Sequence, residues 1–166
     1  MTTLTVRDQL AGMGACSEAV EWAASYPTLQ AAWDVCKRSD WMLWLLWMLD
    51  GEPCSPRLRL AACACARTAL HLVAKGEDRP RIAIETAERY ARGEATDEEL
   101  RAAAYAAYAY AADAAADAAT DAAAVAAPEP LPGTMSFADA AAAYAAAYRA
   151  QADLIRKIVP RLENEK

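Results

Sequence analysis

Residues 96–127 read TDEELRAAAYAAYAYAADAAADAATDAAAVAA, with no glycine or proline among them. Alanine has the highest helix propensity of any residue, so this run predicts one continuous helix of about 31 residues, roughly 45 Å long. Thr96 with Glu99 three positions on is a capping box that marks its start. The stretch PEPLPG at 128–133 then removes backbone donors and holds the chain extended. Ser136 caps a last helix through Val159, with Asp139 at the capping-box position. Two long helices joined by a short stiff link are expected to lie antiparallel, so 96–163 reads as a long C-terminal helical hairpin. Tyr105, Tyr108, Tyr110, Tyr144 and Tyr148 are most of its large side chains; the alanines allow close backbone approach while the tyrosines fill the gaps.

Upstream the helices are shorter and their starts are marked by Ser or Thr. Thr5 and Asp8 form a capping box for a helix that Gly12 and Gly14 stop. Ser17 caps the next, which Pro27 ends, and Thr28 restarts the chain into the apolar stripe Leu29, Ala32, Trp33 and Cys36. Ser39 or Asp40 caps a helix that is apolar all round, Trp41 to Leu49, and such a helix is expected at the buried centre of a bundle. Ser55-Pro56 opens a helix reaching about Val73, and Asp78-Arg79-Pro80 opens another that Gly93 ends. Residues 1–93 thus read as a tryptophan-rich bundle of short helices. With the hairpin this makes one all-α domain over 1–166, a helical bundle of about eight helices.

Composition agrees. Of the 166 residues 45 are alanine, while valine, isoleucine and phenylalanine total 11, too few strand formers for a large sheet. The net charge of −6 disfavours nucleic acid as a general partner. The apolar run Trp41–Leu49 is far shorter than the roughly 20 residues a membrane span needs, so no membrane partner is expected. The first residues lack a basic start followed by an apolar run, which points to a cytoplasmic protein. Five cysteines, Cys16, Cys36, Cys54, Cys63 and Cys65, read as reduced and mostly buried thiols. No metal or cofactor is expected: Cys63 and Cys65 at i and i+2 on a helix diverge and cannot grip one ion.

Three groups of residues are candidates for binding. Asp113, Asp117 and Asp121 share one face of the long helix, either a solvated ridge with a salt bridge to Arg149 or a docking ridge for a basic partner. Arg79 and Arg81 at a helix start offer two guanidinium forks for a phosphate or carboxylate, although Glu77, Asp78, Glu85 and Glu88 stand close enough to neutralise them. Asp40, Trp41 and Trp44 belong to a set of five tryptophans within 26 residues, too many for one small core, so one or two are expected to line a groove. Asp40 can cap the helix, anchor Arg38 or another arginine, or face a ligand, and capping is the plainer account. His71, set among Ala69, Leu70, Leu72 and Val73, reads as a satisfied core or edge histidine, and no catalytic residue is identified: no nucleophile elbow, phosphate loop or HExxH occurs.

The strings Gly14-Ala15-Cys16-Ser17-Glu18-Ala19-Val20-Glu21-Trp22, Leu29-Gln30-Ala31-Ala32-Trp33-Asp34, Ser39-Asp40-Trp41-Met42-Leu43-Trp44-Leu45-Leu46 and Asp78-Arg79-Pro80-Arg81, ahead of an alanine-rich tail, resemble an all-helical immunity-protein family of bacterial polymorphic toxin systems, carried also by phage and other mobile elements. The likeness spans about residues 8–125. It implies a small cytoplasmic binding protein that neutralises a toxin and carries no catalytic residues; the expected function is stoichiometric binding and inhibition of a protein, either a cognate toxin or a host defence protein. Asp40, Trp41, Arg79 and Arg81 stand in its recurring strings. Opposite charge would speed association with a basic partner such as a nuclease. The alternative is a module that sequesters an anionic metabolite such as a nucleotide, through Arg79, Arg81 and tryptophan stacking; it requires those arginines to be free of neighbouring carboxylates. A homo-oligomer through the alanine hairpin is compatible with either.

Overall fold

The Thr5 hydroxyl accepts from the Asp8 N–H at 3.2 Å while the Asp8 carboxylate accepts from the Thr5 N–H at 3.3 Å. This reciprocal box starts helix α1 (Val6–Gly12), and the left-handed Gly14 (φ 82°) follows its end. The computed structural model describes residues 4–51, 55–110 and 137–162. After α1 come α2 (Ser17–Ala23), α3 (Leu29–Val35), α4 (Ser39–Asp50), α5 (Pro56–Arg67), a 3-10 turn (Leu70–Leu72), α6 (Arg79–Ala91), α7 (helical over 97–110) and α8 (Phe137–Ile158). No strand occurs among the described residues, and none of their helices is long and apolar enough to cross a membrane.

Several starts are those the sequence marks. Thr28 accepts from the Ala31 N–H at 3.0 Å, Ser55 from Leu58 at 3.2 Å, and Thr96 and Glu99 exchange bonds at 2.8 and 3.2 Å. Two differ. The residue capping α2 is Cys16, whose side chain makes no cap bond, and Ser17 is already helical. In α4 the cap is Arg38 in extended backbone; Ser39 is buried inside the first turn, where its hydroxyl donates to Gln151 Oε1 at 2.8 Å. A tertiary partner therefore takes the side chain that the sequence assigns to capping. Helix α5 also stops at Arg67, short of Val73, and gives way to the 3-10 turn.

The chain forms two compact units, residues 1–65 with 147–166, and residues 66–146. In the first, Leu10, Val20, Trp33, Met42, Leu46, Ala61, Ala152 and Ile155 close a continuous core. Its centre is shared: Trp33, Met42, Leu46 and Ile155 are the largest of the fully buried side chains. Helix α4 is not enclosed all round; Met42, Leu45 and Leu46 are buried on one face, Trp41 and Trp44 are half-buried, and Trp47 is 49% exposed. Five tryptophans exceed what a core of this size can enclose, so Trp33 alone takes the interior position.

In the second unit, ion pairs tie neighbouring segments. Arg67 forks onto Glu88 at 2.8 and 2.8 Å, and Arg89 reaches Glu99 at 3.2 Å. Thr86 is buried, whereas Tyr105 and Tyr108 on α7 are open to solvent. The proline link at 128–133 and the start of α8 at Ser136 lie outside the described residues, as does α7's expected continuation to residue 127.

Candidate functional site

The loop between α3 and α4 is short and extended at Arg38 (φ −111°, ψ 95°), which projects its side chain back along the start of α4. Two residues on, Asp40 meets it as a fork: Arg38 Nε to Oδ1 at 2.9 Å and Nη2 to Oδ2 at 2.8 Å. The guanidinium carbon lies 4.4 Å from the Trp41 ring centroid and 5.5 Å from that of Tyr148 on α8. Arg38 Nη1 reaches Glu18 on α2 at 3.4 Å. Asp40 is thus the anchor of Arg38, in place of a capping residue. Its fork with Arg38 holds the Asp40 carboxyl below the usual range against the opposing effect of burial, and raises Arg38 in turn.

Around this pair the aromatic rings form a connected surface. Trp22 packs against Tyr26 at 5.0 Å between centroids and against Trp41 at 5.7 Å, tilted by 49° and 53°. A groove of about 430 Å³ runs over Trp22, Tyr26, Lys37, Arg38 and Trp41. A second, of about 420 Å³, lies over Cys16, Glu18, Arg38, Asp40, Trp41 and Trp44. Beneath the rings sits an apolar cavity of about 40 Å³ bordered by Leu10, Trp22, Trp33, Trp41, Met42 and Trp44. Asp40, Trp41 and Trp44 are therefore brought together. Arg38, Glu18, Trp22 and Tyr26 complete the surface; Trp22 and Tyr26 fall four apart, a spacing that places them on one side of the chain, but nothing local pairs them with Trp41.

Arg79 and Arg81 lie in the other unit and are committed to their own carboxylates. Arg79 forks onto Glu77 at 2.8 and 2.6 Å and lies 5.4 Å from the Tyr110 ring; the fork pulls the Glu77 carboxyl down to about 2. Arg81 binds Asp78 at 3.0 Å and Glu85 at 3.0 Å. Asp113, Asp117 and Asp121 lie outside the described residues. His71 is exposed, its Nδ1 2.8 Å from the Thr68 carbonyl. Cys63 and Cys65 are both buried, and the described residues contain no group of three or more His, Cys, Asp or Glu placed to hold a metal ion.

No family model matches the chain, and neither a curated protein nor a solved structure matches it.

Proposed function

We propose that this chain is a non-enzymatic binding protein that neutralises a protein partner, a toxin or a host defence protein, by stoichiometric occlusion, and that the partner docks on the Trp22–Tyr26–Trp41–Arg38 surface. The observation that carries the reading is the composition and order of that surface. Tryptophan, tyrosine and arginine are the residue types that dominate binding energy at protein interfaces. Here they are half-buried and already fixed by the Asp40 fork and by ring packing, so little side-chain entropy remains to be lost on docking. The resemblance to immunity proteins points the same way. The antiparallel alanine/tyrosine-rich hairpin belongs to this proposal as its scaffold. The metabolite alternative draws less support, because Arg79 and Arg81 are paired with carboxylates.

The test is affinity capture of the tagged chain from its native cell or infected host, purification of the captured protein, and light scattering of the reconstituted complex. A fixed stoichiometry is expected, with Trp41→Ala weakening the complex at least about 30-fold. A complex indifferent to Trp41, or an eluate that holds no protein but releases an ultraviolet-absorbing metabolite on heating, overturns the proposal.

A further inference from the structure

Arg38 is fixed along one edge and lightly held along the other. Nε and Nη2 are committed to Asp40, and the cation rests on Trp41, so the guanidinium cannot swing away without losing a bidentate pair and a stacked face. Nη1 meets Glu18 at 3.4 Å, and the Glu18 side chain is 70% exposed. An exposed pair of this length contributes little and exchanges readily. Glu18, Arg38 and Trp41 border both grooves, so the Glu18–Arg38 bridge stands between them. Lys37, exposed in the first groove, has no ion pair among the described residues.

The charge around this surface differs from that of the whole chain. Residues 1–65 with 147–166 hold 10 basic and 10 acidic residues, whereas residues 66–146 hold 7 basic against 13 acidic. The net −6 therefore comes from the residues of the second unit, and those of the first sum to zero. Locally that surface offers an ordered guanidinium edge, the exposed Lys37 ammonium and flat apolar rings. A carboxylate already occupies the edge, loosely and from within the chain.

Resting on the reading above, we infer that the protein partner delivers an acidic side chain to this surface, its carboxylate replacing Glu18 on the Nη1 edge of Arg38 beside Trp22 and Tyr26. The grooves are open, which suits a side chain projecting from a larger surface. Glu18 keeps the edge satisfied until the partner arrives and competes with it when it does.

The experiment titrates the full chain with phenylacetate, a carboxylate on a flat apolar body, and with phenylacetamide, its uncharged counterpart, following the indole N–H resonances of Trp22 and Trp41. Phenylacetate is expected to shift both saturably, and phenylacetamide to bind at least about tenfold more weakly. Glu18→Gln, an exposed change that leaves the fold intact, is expected to tighten phenylacetate about threefold, and Arg38→Lys to weaken it, because lysine keeps the charge but not the fork. Equal responses to the two probes, no response to phenylacetate, or an unchanged affinity in Glu18→Gln overturns the inference. The two failures are separable. A protein complex that survives Trp41→Ala sinks the docking surface itself; one that Trp41→Ala abolishes, with probes that behave alike, sinks the carboxylate alone.

Discussion

The indole Nε1 of Trp33 donates a hydrogen bond at 3.1 Å to the backbone carbonyl of Val159, and both residues are buried. The N-terminal helices are thereby closed onto the end of the chain. Gln30 adds to the closure, accepting from the Leu162 N–H at 2.8 Å and donating to the Pro160 carbonyl at 3.2 Å. Trp33→Phe leaves that carbonyl unsatisfied in the core and is expected to cost about 1–3 kcal/mol, read as a lowered urea midpoint with unchanged slope. A chain ending at Ile158 loses the buried Val159 and Leu162 as well and should be destabilised further.

Arg156 closes the end of α3. Its Nη1 donates to the Cys36 carbonyl at 2.6 Å and the Trp33 carbonyl at 3.2 Å, while Nη2 pairs with Asp153 at 2.6 Å. A cation at a helix C-terminus supplies donors to its last carbonyls, here adding to the bond that the Trp33 carbonyl already accepts from the Cys36 N–H at 3.3 Å. Arg156→Met keeps much of the stem's volume and removes the donors, at an expected cost of about 2 kcal/mol in chemical denaturation. Asp153→Asn, with an exposed partner, should change stability by less than about 0.5 kcal/mol.

Acid should destabilise the protein in a definite window. Hydrogen bonds from Arg38 hold Asp40 below the usual carboxylate range, those from Arg67 do the same for Glu88, and those from Arg79 bring Glu77 to about 2. Each carboxylate binds protons less readily folded than unfolded, so its contribution is present above the unfolded pKa and lost as pH falls through the folded one. Urea midpoints are expected to hold from about pH 7 to about pH 5 and then fall towards about pH 2. Asp40→Asn should start lower at neutral pH and lose less over the acid limb; a midpoint that rises on acidification contradicts the assignment.

Thiol reactivity should separate the cysteines by position. Cys16 is exposed at the head of α2, whereas Cys36, Cys63 and Cys65 are buried. Burial pushes the Cys65 thiol up to about 11 and raises Cys36 against the opposing effects of a backbone hydrogen bond at Arg38 and of the nearby Arg156 and Arg38 cations. Iodoacetamide at about pH 8 is expected to label Cys16 promptly and the three buried thiols at the rate of unfolding, as read by peptide mapping. Equal labelling of Cys16 and Cys65 in the native protein would show that α5 does not pack as described.

The helix starts were legible because capping is local chemistry. Thr5 with Asp8, and Thr96 with Glu99, satisfy orphan N–H groups within four residues of one another, and no distant partner is needed. Ser39 is the converse case: its hydroxyl finds Gln151, 112 positions away, which local sequence does not show. The candidate surface was legible in part. Asp40, Trp41 and Trp44 stand together in sequence, and where one or two tryptophans are expected at a groove, three, Trp22, Trp41 and Trp44, border the two grooves. The roles of Glu18 and Trp22 depend on α2 meeting the start of α4, which periodicity along either helix does not encode.

What the sequence by itself determined is the kind of structure: alanine and leucine favour helix, Ser and Thr mark starts, and Pro and Gly mark stops, because these preferences act within one turn of backbone. Tertiary structure decided which side chains each helix conceals. It turned α4 to bury Met42 and Leu46, half-bury Trp41 and leave Trp47 outward, and it set Ala152 and Ile155 of α8 into the N-terminal core. A helix apolar all round carries no information about which face is inside; only the volume available among its neighbours settles that.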